Sequence, residues 1–558
     1  MKRSKKLIAL LLCLVLTLST AACGGNSSSE PDNSSSVADT SQTKDSDPEA
    51  STTETSEGDD WFAGKDFSEK YTISLASVQI EDGRDYNTGD DWVKSWTERF
   101  NVEFEITSLT FENWSERLRI WINSDDMPDW CVWNYVNGEA ANYADQGLVK
   151  MLPDDWKETY PSLAAAQANV SLSEKAEANF GGTYYLFRPQ YANNRPNEKL
   201  TNHVSLYLRK DWGDAAGAET KEGMTITEVM DWAAKVKEAD PGNLGDSFAP
   251  IVSTSGYLAQ FVQWNNTYAG VNSLPYYLGD DGQYHWGPAD ESTLEALKIL
   301  NQAYKDGLID PEFYTIQNPD DYGAFHTTGT AAALVETCMI SDLEDFDSHM
   351  SADLGVNFED AVQIVTVLGE DGLYHNTPLL NFWGVNIFSP HIDDGKLERI
   401  LSMLDYSSTD EGQLEIRCGI EGVDWDIDES GEITSYLGEG EDLWDKYALM
   451  PVYVNMMVLS DDFQCLNPTY KQSLRDKIKR MHETHDEFSD NKSLPAEPDW
   501  NVQLHDSQAL NLASMDYGDE YAALIVQDGD IEANWQTWVN EKMPVVEPVL
   551  EELNAYLE

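Results

Sequence analysis

The chain has 558 residues, 100 of them Asp or Glu against 36 Lys or Arg, for a formal net charge of −64. So acidic a surface excludes nucleic acid and anionic lipid surfaces as partners. A chain of this length exceeds what one hydrophobic core organises, so two or more lobes are expected.

The N-terminus reads as an export signal. Lys2, Arg3, Lys5 and Lys6 precede an apolar run over 7–18 that is too short to span a bilayer. Thr20, Ala21 and Ala22 then lead into Cys23, with Gly24 and Gly25 behind it. A cysteine directly after a small-residue cleavage site accepts lipid, so 1–22 is expected to be a lipoprotein signal peptide and Cys23 the acylated mature N-terminus. No other stretch is apolar enough to cross a membrane, which leaves the lipid as the anchor and the extracellular face of the cell membrane as the location. Residues 23–60 are dominated by Ser, Thr, Asp, Glu and Gly and offer no core, so they are expected to form a disordered tether.

Beyond the tether, 71–78 (YTISLASV) predicts a strand, 91–100 a helix, and 102–106 (VEFEI) a strand with alternating character. A helix over 113–123 ends near Met127-Pro128, and 129–133 (DWCVW) is a short apolar strand. A helix over 140–146 stops at Gly147. Strands alternating with helices indicate an α/β sheet with crossovers. Further on, 249–253 is strand-like, and helices are predicted over 228–238, 294–304, 395–405, 469–486 and 544–557. Asp281-Gly282 and Asp371-Gly372 have the composition of hairpin turns. Of the four cysteines past the signal region, Cys131, Cys338, Cys418 and Cys465, Cys131 reads as a buried small hydrophobe; no disulfide connectivity follows.

Five segments in order resemble the family-1 extracellular solute-binding lipoproteins of carbohydrate ABC importers. They are Met127-Pro128-Asp129 with 143–148 (YADQGL); 182–185 (GTYY) with 208–212 (LRKDW); 305–313 (KDGLIDPEF); Asp405-Tyr406-Ser407 through Glu411-Gly412 to 419–423 (GIEGV); and Asp530-Ile531-Glu532 with Trp535. The likeness is to the long-chain branch, which takes oligosaccharides and uronic-acid-containing (aldouronate) saccharides. It implies an α/β, two-lobed periplasmic-binding-protein-like fold (type II, maltodextrin-binding-like) with hinge crossings and an interlobe cleft. On this chain that divides the body into 61–190 and 326–390 for lobe 1, and 191–325 and 391–558 for lobe 2 with the C-terminal helices. The implied partners are an oligosaccharide and the permease subunits of an ABC transporter, with the chain a monomer.

Sugar rings present apolar C–H faces and hydroxyl edges, so aromatics at strand ends among polar neighbours are the candidate contacts. Four places fit: Trp133, Asn134 and Tyr135; Tyr257 and Trp264; Trp383; and Asp424 with Trp425. Trp212 and Trp232 read as core residues on helices. Arg188 is the basic candidate, either binding a sugar hydroxyl pair or carboxylate bidentately or pairing with a nearby acid. Asp240, Asn243 and Asp246 form a shortened version of a calcium loop found in long relatives. Three side-chain ligands are fewer than calcium needs, so a turn ending the preceding helix is the competing reading, and no other cofactor is indicated. His482 and His485, three apart, read as a solvated helix face. Hydrolase, zinc-protease, P-loop and dinucleotide motifs are missing. A surface glycoside hydrolase or lyase, and a glycan-binding lipoprotein without a transport role, are the alternatives to a transport binding protein.

Overall fold

The computed structural model describes residues 61–78, 89–110, 113–133, 139–189, 204–271, 273–316, 320–376, 382–428, 433–438, 443–457, 470–494 and 499–557. The chain divides into two units, Met1–Ala63 and Gly64–Glu558. In the first, residues 61–63 are a turn in which the Trp61 and Phe62 rings meet edge to face at 5.0 Å.

The second unit is built on two five-stranded sheets. Its strands are β1 (Tyr71–Ser77), β2 (Val102–Ser108), β3 (Trp130–Trp133), β4 (Leu186–Pro189), β5 (Val204–Arg209), β6 (Gly223–Thr225), β7 (Ile251–Val252), β8 (Tyr276–Leu278), β9 (Tyr284–Trp286), β10 (Ala333–Thr337), β11 (Val362–Leu368), β12 (Phe382–Phe388), β13 (Trp425–Ile427) and β14 (Ile433–Ser435). The first sheet has the order β2-β1-β3-β12-β4 and the second β6-β11-β5-β10-β7. In the first, β1 runs parallel to β2 and β3, and β12 is antiparallel to β3 and β4. In the second, β5 is antiparallel to β10 and β11, which pair in parallel with β7 and β6.

Strand alternation gives the second sheet two apolar faces. Leu206 and Leu208 of β5, Val335 of β10 and Val365 and Val367 of β11 enter one core cluster. Tyr207, Leu334 and Ile364, one step out of phase, enter the other. Helices close both faces. Helix Ile226–Ala239 starts with a reciprocal capping box between Thr225 and Glu228 and buries Val229, Trp232, Ala233 and Val236 along one stripe. It ends at Asp240, at φ 40°.

The sheet pairing moves the expected boundaries. Strands β10 and β11, expected in lobe 1 as part of 326–390, hydrogen-bond in the second sheet. Helix Asp394–Ser407, expected in lobe 2, packs on β1 and on helix Pro161–Ala168, where Asp405 accepts from the Leu163 N–H at 2.9 Å. Helix Asp410–Cys418 is tied to the same half by the Arg99–Glu415 ion pair, 2.6 Å, and by Trp92 Nε1 donating to the Glu415 carbonyl. The chain therefore passes between sheets after β4, between β11 and β12, and between Met457 and helix Gln472–Glu487, which packs on β11. Buried strands of both sheets share one composition, so sequence alone does not assign them to a sheet.

Turn and helix expectations are met in part. Asp281-Gly282 does close the β8–β9 hairpin, with Gly282 at φ 76°. Asp371-Gly372 is a turn, but it lies between β11 and β12, which belong to different sheets, so it closes no hairpin of paired strands. The last helix begins at Ile531, well before the expected 544, and runs through Pro544 and Pro548 to Ala555.

Candidate functional site

The C-terminal ends of β1 and β3, the start of β12 and the end of β4 lie at one edge of the first sheet, because β12 runs against its neighbours. This edge gathers three of the sequence candidates. Trp133 is 1% exposed and packs against Tyr143 and Tyr185, with ring centroids 5.7 and 6.2 Å away. Asn134 and Tyr135 lie outside the described residues.

Trp383 sits at an irregularity. Phe382 pairs with Pro189 and Val385 with Phe187, so Trp383 and Gly384 together oppose the single residue Arg188. This is a β-bulge, which re-aims a side chain near a strand end. Gly384 takes φ 72°, which favours glycine. Trp383 is half-buried, and its ring lies 5.6 Å from that of Trp114, at 50° between planes. Trp114, absent from the sequence candidates, is held by its Nε1 donating to the Val132 carbonyl at 2.6 Å. It opens the helix Trp114–Ser124, one turn past β2, and its position at a helix start among polar residues was the available signal.

Arg188 is 1% exposed, with its guanidinium 4.8 Å from the Trp383 ring centroid. It donates from Nε to Met457 O (3.2 Å), from Nη1 to Trp383 O (3.2 Å) and from Nη2 to Val454 O (3.4 Å). Three of the guanidinium's five N–H donors are thus directed at main-chain carbonyls.

A second cluster lies at the end of β10 in the other sheet. Glu336 is fully buried; one carboxylate oxygen accepts from the Thr337 N–H at 2.8 Å, and the hydroxyls of Tyr257 and Tyr322 face the carboxylate. Burial raises its pKa to about 7. Tyr257 is half-buried in the helix Ser255–Leu258, which Thr254 caps by accepting from the Tyr257 N–H. Its phenol is pushed far up by burial and by the neighbouring Glu336. An acid ending the apolar run 333–335 was the sequence signal for Glu336, and it was missed among so many acids.

The remaining candidates fall elsewhere. Trp264 is 1% exposed in the core of the second sheet, edge to face with Phe261 at 5.2 Å, so it is a core residue in this structure. The strand-end criterion failed there because Trp264 follows a short helix, Gln260–Gln263, all of whose residues are buried. Asp424 is wholly buried, pairs with Lys446, and accepts from Tyr447 OH at 2.9 Å and from the Ile420 N–H at 2.7 Å. Trp425 is 3% exposed and donates from Nε1 to the Gly419 carbonyl. Both hold the 419–425 loop together rather than facing a ligand.

The Asp240 loop is a turn. Its two carboxylate oxygens accept from the N–H groups of Leu244 and Gly245 at 2.8 and 2.9 Å, and Asn243 adopts φ 53°. Asp246 is exposed. Among the described residues, no group of three or more His, Cys, Asp or Glu is placed to hold a metal. His485 is also not on a solvated face. It is 1% exposed, stacked on Tyr374 at 4.1 Å, and burial holds its pKa well below the usual histidine value. Cys131, Cys338 and Cys418 are buried, and no disulfide joins them among the described residues; Cys23 and Cys465 lie outside the described residues. No helix among the described residues is long and apolar enough to cross a membrane.

No protein-family model matches the chain. No curated protein sequence matches it either. Solved structures do. The chain is similar to the S. pneumoniae ABC-transporter substrate-binding protein FusA in complex with kestose, at 16% identity and TM-score 0.61, covering 87% of this chain and 98% of that one. It is similar to the alginate-binding protein AlgQ2, at 14% identity and TM-score 0.64, covering 88% and 99%. A solute-binding protein from Bifidobacterium longum infantis that binds HMO is similar at 13% identity and TM-score 0.60, covering 88% and 98%. The chain has the two-sheet α/β fold of ABC-transporter solute-binding proteins over nearly the whole described body.

Proposed function

We propose that this chain is an extracellular binding protein that captures a carbohydrate, an oligosaccharide, between its two sheets and delivers it to the permease of an ABC importer. It acts as a binder and not as an enzyme, as a monomer. The observation that carries this reading is Trp383. In a fold shared over 87–88% of this chain with a kestose-bound, an alginate-binding and an HMO-binding protein, a half-buried indole stands in a bulge at the sheet edge where the chain passes to the second sheet. Such a ring stacks on the apolar face of a sugar, while hydroxyl-bearing groups satisfy the edges. Tyr257, beside Glu336, is the matching contact on the second sheet. The five ordered sequence segments support placement in the family-1, aldouronate-type branch.

The anchor is part of the proposal. Signal cleavage before Cys23 and acylation of its thiol would hold the body outside the membrane on the 23–60 tether. Cys23→Ser should then leave the protein unprocessed or released into the medium.

The test is calorimetric titration of the mature chain with a panel of fructo-oligosaccharides, alginate oligosaccharides, milk oligosaccharides and N-glycans, followed by recovery of the sugar. Binding of one class with the sugar returned intact is the expected result. A folded protein that binds none of them, or that cleaves one, refutes the reading.

A further inference from the structure

We propose that Arg188 is a positioning residue for ligand recognition: set opposite the bulge, it pins the main chain of Trp383, underlies its ring, and so holds the indole in the pose that meets the sugar. This rests on the functional reading above and assigns to Arg188 a role other than contact with the ligand.

The geometry is specific. A bulge leaves its extra residue outside the regular ladder, and the local main chain then needs another partner. Arg188 supplies one, since its Nη1 donates to the Trp383 carbonyl from the strand directly across. The same guanidinium lies 4.8 Å from the Trp383 ring, within cation–π range. One side chain thus restrains both the backbone and the ring of one residue. A buried cation persists only where its donors are met. Here Nε and Nη2 are directed at Met457 and Val454 on a third segment. A planar fork reaches carbonyls on two separate segments and stacks on an aromatic face at once, whereas the ammonium of a lysine is a point charge on a flexible stem.

The three segments joined are those that end at the chain's passages between sheets. Arg188 is one residue before the end of β4, Trp383 is the second residue of β12, and Met457 is the last described residue before the return to helix Gln472–Glu487. Trp383 is therefore fixed relative to the places where the second sheet is connected.

The experiment labels the full chain with 5-fluorotryptophan and assigns the Trp383 fluorine resonance by its loss in Trp383→Phe. In Arg188→Lys the resonances of Trp383 and Trp114 should shift or broaden while that of Trp264 stays in place, and affinity for the saccharide found in the panel should fall at least tenfold. Arg188→Gln, which keeps two donors but no charge, should show the same pattern. A folded variant in which Trp383 is unmoved, or in which Trp383 moves and affinity is unchanged, overturns the proposal. A second measurement needs no variant: in the wild-type chain with nitrogen-15 arginine, Arg188 should show hindered rotation about Nε–Cζ. A freely rotating guanidinium overturns the proposal even if neither variant folds. Failure of the wild type to bind any saccharide is a separate outcome, because the fluorine and nitrogen readouts use the protein alone.

Discussion

A Cβ built on Gly384 lies 3.1 Å from the carbonyl oxygen of Trp133 on the neighbouring strand. The bulge that presents Trp383 thus has room for a hydrogen at the next position and little more. With φ at 72°, an L side chain there is also strained. Gly384→Ala should cost roughly 1–3 kcal/mol in urea unfolding, from the backbone conformation and the close contact together. It should also weaken saccharide binding, because relief of the contact shifts Trp383. A variant as stable as wild type would show that the bulge relaxes freely.

Trp383 and Trp264 look alike in sequence and should behave oppositely. Trp383 is half-buried at the sheet edge, and Trp264 is enclosed by the second core. Trp383→Ala should weaken saccharide binding about tenfold or more with little change in stability, as for a stacking aromatic at a hot spot. Trp264→Ala should lose about 3–5 kcal/mol of stability, the cost of a large core truncation, with the surviving folded fraction binding normally. Titration and urea unfolding of both variants separate the two cases.

That contrast marks how much the sequence revealed. Local signals were read correctly: the helix over 228–238, the Asp281-Gly282 turn and the strand over 102–106 all stand where propensity and period put them. These depend on neighbours within a few residues. Sheet membership does not. The run 333–335 is apolar like the strands of the first sheet, and only its pairing with β5 places it in the second. Exposure was equally illegible. Trp264 and Trp425 stand among polar residues and Trp383 lies two past Asn381, but whether a ring faces solvent depends on elements distant in the chain, such as the main chain at Val454 and Met457 behind Arg188. The bulge at Gly384 also required the partner strand to be seen.

Asp424 should prove a residue of stability and not of binding. Its carboxylate is wholly buried and joins the exposed Lys446, the Tyr447 hydroxyl and the Ile420 N–H, so truncation leaves the lysine to solvent and strands the phenol and the N–H. Asp424→Ala should destabilise the fold by about 1–3 kcal/mol, the cost of leaving buried donors without their acceptor. Saccharide affinity of the folded protein should be unchanged. A selective loss of affinity with full stability would return Asp424 to the ligand site.

Glu336 should give the second half of the chain a pH dependence of identifiable sign. Burial raises its carboxyl from the usual 4.5 to about 7 in the folded protein. Between those two values the folded state holds a proton that the unfolded state has released, so stability falls as pH rises from about 4.5 through 7 and levels off above. A shift of this size corresponds to a cost on the order of 2–3 kcal/mol at pH 8 relative to pH 4.5. Buried His485 acts in the opposite direction, since its depressed pKa leaves it neutral in the fold and its contribution is lost as pH falls below its unfolded value. The difference between wild type and Glu336→Gln cancels that background, provided the two sites do not couple. Glutamine keeps an acceptor for the Thr337 N–H and removes the titration. Glu336→Gln should therefore be more stable than wild type at pH 8 by about that amount, with the gap closing toward pH 5, as read by urea unfolding at both values. A gap that is constant with pH, or that widens on acidification, would mean that Glu336 stays ionised in the folded protein.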